Sequence, residues 1–286
     1  MIDTPMHVEN RVETGLDFTV QIYVDPAGDR LRVDDYRGNV FSIMKRIEEI
    51  AKQYHFTKVF VKARSEDWQS FVSRGYMLEG IFKGYFNGSD AYSVALYFSL
   101  ERRTSDHWIK ENEILQKVQT HPMTSDPKEF SSNYHMRLAI EEDAEQLANL
   151  YNTIFQFYPT PMNDETYVRN AIENGTIFYV VESEDQIVSA ASAELNTTYN
   201  NAEITDCATL SEHRRHGFIK NLILSLESEL KQRSIFCVYS LARSLSFGMN
   251  MAFHQLGYEY TGRLTKNCNI HDKFEDMSLW TKDLSV

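Results

Sequence analysis

Two arginines and a glycine sit together in the turn Ser211-Glu212-His213-Arg214-Arg215-His216-Gly217. An apolar run from Ile204 to Leu210 precedes it, and Ile219, Leu222, Ile223, Leu226 and Leu230 follow at spacings of three and four, so the stretch reads as strand, cationic turn and helix. Such a turn aims successive backbone N–H groups and a helix start at one point, where an anion can settle beside the arginines. The ligand expected there bears phosphate. One glycine stands where a nucleotide loop usually has two or three, and no Lys-Ser/Thr pair follows it.

The other reactive residue types form no comparable pattern. His213 and His216 lie in the turn without a companion set, and the nine histidines show no metal-ligand spacing. Cys207, Cys237 and Cys268 are too far apart for a metal knuckle or a redox pair, which fits a reducing, cytoplasmic setting. Cys207, inside the apolar run, reads as a packed strand residue and not as a nucleophile.

The chain has 286 residues, 42% of them hydrophobic, with 17 Phe and 16 Tyr, which suffices for two domains with a core each. Its net charge of -12 disfavours nonspecific binding to nucleic acid or to an anionic membrane and is compatible with a small cationic substrate. Met1 to Arg11 is polar and carries no apolar targeting core, and no apolar run approaches the roughly 20 residues that span a bilayer.

These features need elements to hold them. Phe18, Val20, Ile22 and Val24 predict a strand that turns through Asp25 to Asp29 into a second strand at Leu31 and Val33. A helix with its stripe at Phe41, Met44, Ile47 and Ala51 follows, then a strand from Lys58 to Ala63 and a short helix ending at Arg74-Gly75. Tyr76 to Phe86 and Ala91 to Leu100 read as a hairpin about Asn87-Gly88. A polar stretch with two prolines, Pro122 and Pro127, marks a linker, and the boundary falls near residue 130, giving domains 1–130 and 131–286.

The second domain is expected to open with a strand, Tyr134 to Ile140, and two helices, Ala144 to Phe155 and Asp164 to Glu173. Strands follow at Ile177 to Glu182, Ile187 to Asn196 and Ala202 to Leu210. After the turn and its helix come a strand Ile235 to Tyr239, a helix Leu245 to Gln255, and strands Tyr258 to Leu264 and Phe274 to Thr281. An internal echo links the halves: Phe71, Gly75, Tyr76, Gly80, Asp90 and Tyr92 match Phe253, Gly257, Tyr258, Gly262, Asp272 and Phe274 at a constant offset of 182 residues. The amino-terminal domain therefore reads as a partial copy of the other, without the Arg-Arg-x-Gly turn, either structural or shaping a substrate pocket.

From Tyr134 to Thr281 the chain resembles the Gcn5-related N-acetyltransferases, an α/β class with a mixed sheet (α+β), here with an amino-terminal partial acetyltransferase-like domain. Arg214-Arg215-His216-Gly217-Phe218-Ile219 matches the first four positions of that family's Gln/Arg-x-x-Gly-x-Gly/Ala signature and departs at Ile219. More narrowly the whole chain is similar to the bacterial beta-lysine N-acetyltransferases that act beside an aminomutase. The resemblance implies acetyl-CoA as cosubstrate, with Arg214, Arg215, His216, Gly217, Phe218 and Ile219 on its pyrophosphate and a backbone amide from Cys207, Ala208 or Thr209 on the thioester carbonyl. It implies beta-lysine as acceptor, acetylated on its terminal amine to a compatible solute. Another diamine, a polyamine or a protein lysine is the alternative acceptor, and a non-catalytic acyl-CoA-binding regulator the alternative class; a homodimer is compatible.

An ammonium cannot attack a thioester, so a carboxylate must take its proton. Asp206 is preferred and Glu203 is the alternative, because alternation places the two on opposite strand faces unless a bulge intervenes. Many family members protonate the leaving thiolate with a tyrosine where this chain has Phe253, which leaves His254 and Tyr258 as nearby candidates. Tyr151, Phe155, Tyr158 and Asp164 supply aromatic walls and a carboxylate for the acceptor. If the turn holds phosphate, Arg214→Ala weakens acetyl-CoA binding in a titration and hardly moves the thermal transition of the unliganded protein; unchanged affinity removes this arginine from the site.

Overall fold

Val20, Ile22 and Val24 are buried and alternate with more exposed neighbours along β2 (Phe18–Asp25), as a strand with one face on a core requires. The computed structural model describes residues 9–124, 127, 129–155, 160–270 and 273–285. An unanticipated strand, β1 (Glu9–Thr14), pairs with β2, and β3 (Arg30–Gly38) completes the meander. The side chain of Asn39 accepts from the amides of Phe41 and Ser42 and so starts α1 (Val40–Gln53), which buries Ile43, Met44, Ile47, Ile50 and Ala51. Phe41, expected in that stripe, is exposed in the first turn, with the Arg74 guanidinium 4.8 Å from its ring centre. β4 (Lys58–Arg64), α2 (Trp68–Ser73) and the hairpin of β5 (Met77–Phe86) and β6 (Ser89–Tyr97) follow, with Asn87 and Gly88 both at positive φ. α3 (Leu100–Arg103) and α4 (Trp108–Gln119) carry the chain to the second half.

That half runs β7 (His135–Leu138), α5 (Ala144–Ile154), α6 (Glu165–Glu173), β8 (Ile177–Ser183), β9 (Gln186–Asn196), β10 (Asn201–Thr209), α7 (Phe218–Gln232), β11 (Cys237–Arg243), α8 (Phe247–Gln255), β12 (Glu259–Ile270) and β13 (Lys273–Asp283). β11 starts two residues later than expected and extends to Arg243, because Ile235 is spent on packing against the core before the strand begins. All the strands form one mixed sheet in the order β1-β2-β3-β4-β6-β5-β12-β13-β11-β10-β9-β8-β7. The neighbours β3 and β4, and likewise β10 and β11, run parallel. No helix among the described residues is long and apolar enough to cross a membrane.

The same order, strand-helix-strand-helix-hairpin, occurs twice, as β3-α1-β4-α2-β5-β6 and as β10-α7-β11-α8-β12-β13. The repeats meet where β5 lies against β12, and the one registered pair is Gly80 with Gly262, two positions matched by the sequence echo. Each strand steps out of register with its own hairpin partner just before that glycine, between Leu78 and Gly80 and between Tyr260 and Gly262. A Cβ on Gly262 would lie 2.2 Å from Gly80 Cα and 2.3 Å from the Glu79 carbonyl oxygen. Around this contact Phe82, Tyr85 and Phe86 pack with Tyr239, Leu264, Met277 and Leu279, the rings of Phe82 and Tyr239 meeting edge to face at 5.0 Å. Buried Lys58 crosses the same seam to the Thr265 carbonyl at 2.9 Å and pairs with Glu79.

Because backbone sits on both sides of that gap, it cannot yield to a methyl group. Gly262→Ala is expected to destabilise the protein by about 1–3 kcal/mol, the range for overpacked sites. Gly248→Ala, where the new Cβ meets nothing within 4 Å, serves as the control in denaturant titration. Equal midpoints for the two variants would show that the seam tolerates a side chain.

Candidate active site

β10 and β11 pair only from Asn201–Glu203 against Cys237–Tyr239 and then part. Along β10 the register with β9 steps from Thr205↔Ser192 to Ala208↔Ala190, so Asp206 and Cys207 together face Ala191. Asp206 has a φ of 50°. A bulge of this kind bends a strand and re-aims its side chains. It is held from below: the Tyr151 hydroxyl donates to the Asp206 carbonyl at 2.9 Å, and Ser192 Oγ donates to Asp206 Oδ2 at 2.6 Å. The bulge brings Glu203 and Asp206 to one cavity, where strict alternation would have separated them.

The parted strands open a groove of 620 Å³, and Cys207, Ala208, Thr209, Arg214, Arg215, His216, Gly217, Phe218 and Ile219 all border it. Arg215 and Gly217 have φ values of 72° and 86°, which swings consecutive amides to one side. No side chain among the described residues caps the start of α7, so the positive end of a long helix faces the same place. Phe218 is buried against Phe130 and Tyr134, and Ile219 packs toward the core, so the bulk at the sixth signature position is directed inward. Arg214 Nε donates to the Thr209 carbonyl at 3.3 Å and ties the turn to the end of β10.

A second cavity, of 330 Å³, adjoins the groove; Phe155, Cys207, Arg243, Ser246 and Met249 border both. Glu194, Glu203 and Asp206 line it from the second half, with Glu194 directly across the ladder from Glu203. Arg30, Arg32, Phe60, Lys62 and Phe82 line it from the amino-terminal half. Burial pushes the Glu203 carboxyl up while Lys62 and Arg32 oppose the shift. The Glu194 carboxyl is pushed up by the protein around it and by the charges of Glu203 and Asp206. Carboxyls lining one cavity oppose one another's ionisation, so Glu194 keeps its proton to higher pH than a free carboxyl. Burial also pushes the Cys207 thiol up, which keeps it from being a thiolate.

Four expected site residues lie elsewhere. Tyr151 is buried beneath the bulge and supports it. Asp164 caps α6 by accepting from the Tyr167 amide at 3.1 Å, the use a helix start makes of an aspartate. His254 places Nε2 2.9 Å from the His121 carbonyl and fastens α8 to the connector between the halves. Tyr258 is buried edge-on to Phe253 with the Lys282 ammonium over its ring. Neither His254 nor Tyr258 borders the groove or the cavity. Tyr158 lies outside the described residues, as does Asp272 of the echo. Sequence reasoning missed Glu194, Arg32 and Lys62; pairing β9 with β10 in register would have exposed the first, but no local signal places β3 and β4 beside β10.

Residues 144–258 match the acetyltransferase (GNAT) family. The chain is 37% identical over 261 residues to the N-acetyltransferase YodP of Bacillus subtilis strain 168, across 91% of this chain and 94% of that protein. It is 34% identical over 270 residues to the beta-lysine N(6)-acetyltransferase of Methanosarcina mazei, across 87% of this chain and 100% of the relative. The protein of the same name from Methanococcus maripaludis is 30% identical over 261 residues, across 91% of this chain and 95% of its own length. Coverage of that extent takes in the amino-terminal half as well as the acetyltransferase domain. The chain therefore belongs to the GNAT acetyltransferase family and is an acetyl-CoA-dependent N-acetyltransferase.

Proposed function

We propose that the acceptor is a small amino acid with a terminal amine, beta-lysine in the first place, and that the acetyl group passes to that amine directly. The observation that carries this is the cavity bordered by three carboxylates and continuous with the groove at Cys207 and Ser246. Two relatives whose names specify beta-lysine match both halves of the chain, which supports the choice of acceptor.

The groove's turn, with its two positive-φ residues and uncapped helix, fits a pyrophosphate, and the gap between β10 and β11 fits an extended arm. Bound acetyl-CoA supplies the acyl group: the C–N bond to the acceptor forms as the C–S bond breaks, and CoA leaves as the thiol. Arg214, Arg215 and the amides from Arg215 to Ile219 hold its phosphates. Amides at the bulge, turned out of the ladder at Asp206 and Cys207, polarise the carbonyl. Glu203 takes the ammonium proton and leaves a neutral amine to attack. Asp206 is the weaker candidate for that role, since it is 4% exposed whereas Glu203 is half-buried. Phe253 offers no proton to the leaving sulfur, and Ser246, on the border of both cavities, supplies the hydroxyl instead.

A thiol-release assay across beta-lysine, α-lysine, spermidine and a lysine-containing peptide is expected to give the highest kcat/KM with beta-lysine. Acetyl-CoA binding without turnover of any of the four would end this reading. A carboxyl raised above its usual range is protonated at higher pH than an ordinary one and acts as a base only above its shifted pKa, so kcat/KM falls as pH drops toward it. Glu203→Gln should lower kcat by about 10²–10⁴-fold, the span of general-base contributions, and abolish that acidic limb. Asp206→Asn should keep the limb, and the reverse pattern would transfer the base to Asp206.

A further inference from the structure

We propose that the amino-terminal half supplies the receptor for the acceptor's carboxylate, with Arg32 on β3 as the residue that selects an amino acid over a polyamine; this rests on the amino acid reading above. Six strands separate β3 from β10 in the sheet, yet both border one cavity, so the curled sheet faces the two repeats toward each other. One wall, from β9 and β10, carries Glu194, Glu203 and Asp206. The other, from β3 and β4, carries Arg30, Arg32 and Lys62. Arg30 pairs with Asp25, while Arg32 and Lys62 share Asp34, which leaves that wall with one positive charge beyond its own carboxylates, facing Glu194 and Glu203 across the cavity. A ligand that is cationic throughout meets repulsion there, and a ligand with an amine at one end and a carboxylate at the other meets complementary charge at both.

Of the three cations, Arg32 has the most donors to spare. Arg30 is 8% exposed and spends Nε on Asp25 at 2.8 Å and one terminal nitrogen on the Asn267 carbonyl at 2.6 Å. The Lys62 ammonium donates to Asp34 at 2.8 Å and to the Tyr85 hydroxyl at 3.2 Å, among the rings of Phe82, Tyr85 and Tyr239. Arg32 donates only Nε, to Asp34 at 2.8 Å, and its two terminal nitrogens make no hydrogen bond among the described residues. Its guanidinium carbon stands 4.4 Å from the centre of the Tyr23 ring, and a third of the side chain is exposed. The inner edge and the face of the guanidinium are thus held, and its fork is presented to the cavity. That is the geometry in which arginine takes a carboxylate with two parallel hydrogen bonds.

The test compares beta-lysine with its carboxamide, whose amines are retained and whose negative charge is gone. The wild type should favour beta-lysine. Arg32→Gln should lower kcat/KM for beta-lysine about 10–100-fold, mostly through KM, as loss of a charged hydrogen bond does, and alter that for the carboxamide less than about threefold. Arg32→Lys, which keeps the charge and loses the fork, should recover part of the loss. Thermal melts of the variants report whether the fold is kept. Equal loss on both acceptors, or unchanged kinetics with beta-lysine, would overturn the receptor and leave the amino acid reading standing. Turnover of spermidine but of no carboxylate-bearing amine would overturn both.

Discussion

The approach of Gly80 to Gly262 is the constraint from which the active cavity follows. Two copies of one strand-helix-strand-helix-hairpin unit must bring their exposed hairpin edges together, and an edge strand left open is a liability in any sheet. A Cβ on Gly262 would overlap the facing backbone at 2.2 Å and one on Gly80 would crowd it at 3.1 Å, so the absence of side chains lets the edges close. Once closed, the aromatic cluster of Phe82, Tyr85 and Tyr239 fills the seam and the buried Lys58–Glu79 pair locks its polar end. The ion pair by itself is no reason for stability, since desolvation of Lys58 opposes it and lowers its pKa to about 8. Its contribution is register: Lys58 finds acceptors on Thr265 and Asn267 only when the halves are aligned as they are.

The bulge on β10 is the second constraint, and it acts inside one repeat. A non-glycine residue at positive φ costs on the order of 1 kcal/mol or more, and Asp206 accepts that cost because Tyr151 and Ser192 hold it from two other elements. The distortion does two jobs. It ends the pairing with β11, which opens the groove, and it turns Glu203 and Asp206 into the same cavity. A regular strand would have given neither the opening nor the acidic wall.

The strand, turn and helix around Ser211 to Gly217 were legible because their signals are local: the apolar run, the helix stripe and the glycine all lie within one stretch of chain. The repeat was legible too, since Gly80 and Gly262 meet at the seam and their matched positions are recorded in residue identity alone. What stayed hidden was non-local. Tyr151 looked like a pocket wall but is committed to the bulge, and Asp164 looked like a ligand but is committed to a helix cap. His254 and Tyr258 stood next to the right helix, yet helix phase and packing turned both away from the cavity. Arg32 and Lys62 belong to strands with no local mark of a site, and their place in one cavity with Glu203 depends on sheet curvature that no single segment encodes.

The two repeats have kept the same fold and divided its uses. In the second, β10 and β11 part and the gap stays open. In the first, β3 and β4 also stop pairing after Val33 and Val61, but the gap beyond is filled. Tyr36 occupies it, accepting from the Arg64 amide at 2.9 Å and donating to Asp67 at 3.0 Å, with Phe71 packed on its ring. Arg64 and Asp35 add a salt bridge, joined by the Tyr199 hydroxyl from the turn between β9 and β10. A cofactor groove must remain empty to work, and an empty groove weakens the wall around it. The filled gap packs the first repeat closely around the ion pairs of Arg32 and Lys62 with Asp34, and close packing with shared ion pairs fixes side-chain positions.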